Sequence, residues 1–124
     1  MHLPFLRPLV ILAAVAWLEA ATGPAAAHAV IVEATPAVNA TVHGGQLEVT
    51  LRFNSRIDRS RSRLTLIDAA GKETVVALEK SSPSDVLAAS IGGLGPGKYR
   101  LRWQVLAIDG HITRGDIPFT VAAP

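Results

Sequence analysis

Residues 46–53 alternate strictly between polar and apolar side chains. Gln46, Glu48, Thr50 and Arg52 fall on one side, and Leu47, Val49, Leu51 and Phe53 on the other. A period of two belongs to a strand with one face buried and one face wet. The stretch Lys98–Leu106 repeats the pattern. Tyr99, Leu101, Trp103 and Val105 point inward, and Lys98, Arg100, Arg102 and Gln104 point out. Ile117, Phe119 and Val121 form a third inward row. No segment sustains the three-to-four spacing of an amphipathic helix, so the chain has to build its core from sheets.

Shorter segments fill the intervals. Val30–Val32 reads as a short first strand, followed by a turn at Thr35–Asn39, where Asn39 tolerates a positive φ. Leu64–Ile67 and Thr74–Leu78 flank Asp68-Ala69-Ala70-Gly71 and read as a hairpin. Asp85–Ile91 is a strand candidate whose Ala content also permits a short helix. Gly92–Gly97 is a loop feeding the long strand. About seven strands at this spacing predict an all-β fold, a small antiparallel Greek-key β-sandwich or barrel.

The first 27 residues read as an address. A basic start with Arg7 leads into the apolar run Leu9–Leu18, which is shorter than the roughly 20 residues a membrane span needs. Small residues at 25 and 27 form an A-x-A cleavage signal. The expectation is a signal peptide over 1–27, cleaved after Ala27, and one domain over 28–124 in the periplasm or secreted. A rival cut after Ala29 would remove His28. Once cleaved, the chain keeps no segment for stable membrane insertion.

Composition removes several functions. The chain has no Cys, so disulfides, thiolate metal sites and cysteine nucleophiles are excluded. Its one Met is Met1, which excludes a thioether-rich site. No Gly-x-Ser-x-Gly elbow and no phosphate-binding Gly-rich loop occur. A net charge of +2 does not imply nucleic acid. The run Arg52, Arg56, Arg59, Arg61, Arg63 has only Phe53 nearby, which faces the core, so stacking platforms for bases are missing. That run reads as a solvated loop and strand face, or as a docking patch for an acidic partner or lipid head groups.

Three histidines follow the leader. His28, as a new N-terminus, would offer its α-amine and its imidazole to one metal ion. Both groups lose their protons readily near neutral pH when a metal competes. Asp109-Gly110-His111 ends the long strand, and residues two apart in an extended segment share a face. The same tripeptide is also an ordinary turn sequence. His43 sits in Val42-His43-Gly44-Gly45 and reads as a surface turn residue. Three nitrogens and one oxygen from His28, Asp109 and His111 would make a tetragonal set that suits Cu(II).

These residues resemble the CopC family of periplasmic copper-binding proteins. The resemblance rests on His28-Ala29-Val30-Ile31 after the Ala-rich leader, Thr35-Pro36-Ala37, and Leu51-Arg52-Phe53. Its most specific part is Tyr99, Leu101, Trp103, Asp109-Gly110-His111, Gly115 and Phe119. It implies an Ig-like or cupredoxin-like fold binding one Cu(II) through His28, Asp109 and His111, for copper storage, delivery or resistance. It also implies an inner-membrane copper transporter of the CopD type as partner. Many family members carry a Met-rich Cu(I) site, which this chain cannot build. Ala107 and Ile112 depart from the Ser and Pro common at those positions, and Asn39 from a usual turn Gly. The role expected is ligation rather than enzymatic catalysis. Two alternatives stay open: a histidine-chelate copper oxidative enzyme, and a metal-free β-sandwich interaction module.

Overall fold

The computed structural model describes residues 29–124, and these hold eight strands and no helix. They are β1 Ile31–Thr35, β2 Ala40–His43, β3 Leu47–Phe53, β4 Ile57–Ile67, β5 Glu73–Val75, β6 Val86–Ile91, β7 Gly97–Ala107 and β8 Ile112–Ala122. The expected leader and His28 lie outside the described residues.

The strands form two sheets. One has three strands in the order β1-β3-β6, and the other five in the order β2-β8-β7-β4-β5. Only the β4–β5 and β7–β8 connections stay within a sheet, and the other five cross between sheets. Each face of the core is therefore assembled from segments distant in sequence. The alternating rows do what their period requires. Leu47, Val49, Leu51 and Phe53 are buried on β3, Leu101, Trp103 and Val105 on β7, and Ile117, Phe119 and Val121 on β8. Tyr99 is half-buried; its ring stacks on Phe119 and its hydroxyl donates to the Gly95 carbonyl.

Trp103 meets Phe53 edge-on across the two sheets, with ring centroids 5.4 Å apart. Its cross-strand partner is Gly115. A Cβ at 115 would lie 2.7 Å from Trp103 Cζ2, so the indole occupies the space a side chain would need. That close approach explains a glycine in the middle of β8, where it otherwise weakens a strand.

Two elements differ from the sequence expectation. Ala40–His43 is a strand rather than a turn, and it pairs in parallel with β8, so the sandwich is not antiparallel throughout. Its short length hid it, and its pairing needs a partner 79 residues later in sequence, with Ala40 opposite Phe119. Asn39 does take a positive φ of 63°, and its N–H donates to the Pro118 carbonyl, which seats β2 beside β8. Asp85–Ile91, by contrast, is the strand the sequence suggests: β6, to which β3 offers a full ladder from Leu47 to Arg52.

The second difference is β4, which runs through the arginine-rich segment as well as Leu64–Ile67. The arginines do not form one patch. Arg52 pairs with Glu33 at 2.8 Å on the small sheet, and Arg61 lies 3.8 Å from Asp58. Arg59 turns onto the loop before β6 and donates to the carbonyls of Lys80, Ser82 and Pro83. Arg63 faces outward from the large sheet, beside Gln104. Sequence proximity therefore does not translate into a common surface here.

Candidate metal centre

β7 and β8 are joined by residues 108–111 at one end of the sandwich. The turn closes through Gly110 N–H to the Ala107 carbonyl at 2.9 Å and Ala107 N–H to the His111 carbonyl at 2.8 Å. Gly110 takes φ 91°, a conformation side-chain-bearing residues rarely adopt. Within this turn Asp109 Oδ1 accepts the backbone N–H of His111 at 3.1 Å. Asp109 Oδ2 lies 3.1 Å from His111 Nδ1.

The sequence reading treated this tripeptide as either a turn or a ligand pair. It is a turn, and the turn is what brings the two side chains together. Their convergence comes from an Asx-type hydrogen bond rather than from strand alternation. The backbone N–H of His111, followed by its imidazole, holds the Asp109 carboxyl below the usual carboxylate range. Asp109 is thus kept as an anion, the form in which a carboxylate ligates. Ligand atoms in neighbouring positions on one ion, each about 2.0–2.2 Å from it, stand about 3 Å apart. The Asp109–His111 separation fits that requirement, and both side chains reach solvent.

Two ligands do not complete a site. Among the described residues no group of three His, Cys, Asp or Glu side chains converges. The start of the described chain lies at the same end. Ala29 is only 2% exposed. Its carbonyl accepts the hydroxyl of Thr113 at 3.1 Å, two residues beyond His111. Val30 N–H donates to Asn54 Oδ1, and Asn54 N–H returns to the Val30 carbonyl, both at 2.9 Å. Sequence reasoning missed Thr113 and Asn54 as parts of the site. Their only signal was position, just after His111 and just after β3.

His43 lies elsewhere. It ends β2 opposite Ala122, the last residue of β8, whereas His111 immediately precedes that strand. Eleven residues of strand separate the two by about 30 Å.

Residues 31–122 match the family model described as the CopC domain. The chain is 30% identical over 109 residues to copper resistance protein C of Xanthomonas campestris pv. juglandis, covering 82% of this chain and 85% of that one. It is 28% identical over 98 residues to protein YobA of Escherichia coli strain K12, covering 77% and 79%. The crystal structure of CopC from Methylosinus trichosporium OB3b superposes with a TM-score of 0.69 at 28% identity, covering 77% of this chain and 95% of that one. A two-sheet sandwich, an Asp-Gly-His turn at one end and a match across nearly all of the described residues lead to one conclusion: the chain belongs to the CopC family.

Proposed function

We propose that this protein is a periplasmic copper carrier that holds one Cu(II). Its ligands are the α-amine and imidazole of His28, the Asp109 carboxylate and the His111 imidazole. The observation that carries the reading is the shared end of the sandwich. The Asp109–His111 pair and the anchored Ala29 both sit there, tied by Thr113. Ala29 is one peptide bond from His28, and consecutive Cα atoms are about 3.8 Å apart. Cleavage after Ala27 would free the amine. Copper is the metal named in the relative from Xanthomonas, and the absence of Cys and of any Met after Met1 leaves nitrogen and oxygen donors, which suit Cu(II).

The role is ligation, not catalysis: the carboxylate takes a position that oxygen chemistry would need open. The bound ion is cargo, passed to or from an inner-membrane transporter of the CopD type. Competition titration of the chain starting at His28 tests the ligand set. His111→Ala and Asp109→Ala should each weaken Cu(II) binding by about tenfold or more, equivalent to about 1.4 kcal/mol. His43→Ala should leave it unchanged. Unaltered affinity in both site variants would move the site elsewhere.

A further inference from the structure

Among the described residues no further layer packs over the outer face of the five-stranded sheet, and its charge is uneven. Cross-strand pairing puts Arg63 of β4 beside Gln104, and Lys98, Arg100 and Arg102 along β7, with Arg114 of β8 opposite Gln104. All five cations are exposed. Three carboxylates border this face, Glu73 and Asp116 on its strands and Asp68 in the turn after β4. Asp116 is shared between Arg100 at 3.2 Å and Arg102 at 3.0 Å, and Arg102 also lies 3.6 Å from Glu73. Arg63, Lys98 and Arg114 make no ion pair among the described residues. Nearer the metal end, Asp58 and Arg61 offset each other. The face therefore carries about two net positive charges. The remaining described residues have equal numbers of acidic and basic side chains.

The cations are spread rather than gathered. Lys98 and Arg114 stand six residues apart along the strands, about 20 Å, and the three strands span about 10 Å. Dispersed charge on a broad face matches an opposing surface that is itself broad and uniformly negative. At the Lys98 end the face is dished by a hollow of about 510 Å³, whose walls include Lys98, Arg100 and Thr120 and also Asp68. Asp68 Oδ1 accepts the backbone N–H groups of Ala70 and Lys72, and the two cations of the wall leave the hollow with a net positive rim. The face also adjoins the metal centre, since Arg114 follows His111 by three residues.

We propose that this sheet face docks the protein reversibly on an anionic bilayer surface, by charge and without insertion. The copper end would then travel close to the membrane. This inference does not depend on the ligand set proposed above, because none of its residues is a ligand.

The test is co-sedimentation with vesicles of phosphatidylcholine alone, or of phosphatidylcholine with about 30% phosphatidylglycerol. The chain starting at His28 is used, because it contains both sheets and the whole core and lacks the apolar run 9–18. Binding should require phosphatidylglycerol and fall as salt rises. The triple variant Arg63→Gln, Lys98→Gln, Arg114→Gln should lose about 100-fold in partitioning, at roughly fivefold per cation. A charge-matched control, Arg52→Gln, Arg56→Gln, Lys80→Gln, should keep most of it. Circular dichroism melting checks that both variants fold. Binding absent on anionic vesicles, or equal on both vesicle types, overturns the proposal. Equal losses in the two triple variants overturn it too, because net charge rather than this face would then be responsible. An acidic protein partner would give the first of these results.

Discussion

The Thr113 hydroxyl donates to the carbonyl oxygen of Ala29 at 3.1 Å, joining residues 84 apart in sequence. This bond crosses from β8 to the beginning of the described chain, and it sits two residues beyond His111. It couples the placement of the N-terminal segment to the Asp-Gly-His turn.

Thr113→Val removes the donor and keeps the shape. Stability should fall by about 1 kcal/mol, the ordinary net value of one hydrogen bond. Copper affinity of the chain starting at His28 should fall with it, while Thr113→Ser retains both. Urea denaturation and Cu(II) titration of the two variants check this. A Val variant with wild-type copper affinity would show that the anchor does not serve the site.

Gly115→Ala tests the packing under β8. The new methyl would meet the Trp103 indole at 2.7 Å, and the ring is also packed edge-on against Phe53. The expected loss is about 1–3 kcal/mol with an unchanged urea m-value, as for overpacking elsewhere. Tryptophan fluorescence should report a displaced indole. An unchanged midpoint would mean that Trp103 can yield at little cost.

Asp116 gives a pH prediction. Hydrogen bonding from Arg102 is the largest influence and holds its carboxyl below the usual range; burial opposes it, and the charges of Arg102 and then Arg100 add to the lowering. A depressed folded-state pKa contributes stability that is present above the unfolded value, near 3.9, and is lost as pH falls through the folded value. All three side chains are partly exposed, so the contribution is about 0.5–1 kcal/mol. Asp116→Asn should therefore be less stable than wild type at pH 7, and the gap should narrow progressively as pH falls below about 4. Denaturant midpoints at several pH values measure it. A gap undiminished at pH 2–3 would assign the loss to packing.

Much of this architecture was legible before the structure because two strands alternate without error and face a shared core. β3 and β7 could be placed residue by residue. β2 could not, since Ala40–His43 is too short for a period and its strand character exists only through its parallel ladder with β8. The arginine run was legible as a solvated loop and strand face, but not the direction each cation takes. Whether neighbouring cations share a surface depends on the β4 bulge between Asp58 and Arg63 and on the loop carbonyls that capture Arg59. The Asp109–His111 pair was legible as residues but not as geometry, because its approach depends on a backbone hydrogen bond inside the turn. Thr113 and Asn54 carried no chemical signal at all. Their role comes from what the fold brings opposite them.

The central claim is that a free amine at His28 completes the copper site. Electron paramagnetic resonance of a Cu(II) titration tests it most directly, on two samples of the same chain. One begins at His28, and the other carries one extra residue ahead of it. The account predicts tight one-to-one binding with a nitrogen-rich tetragonal spectrum in the first sample only, weakening as pH falls and the amine and imidazoles take up protons. The same spectrum and affinity in both samples would contradict it.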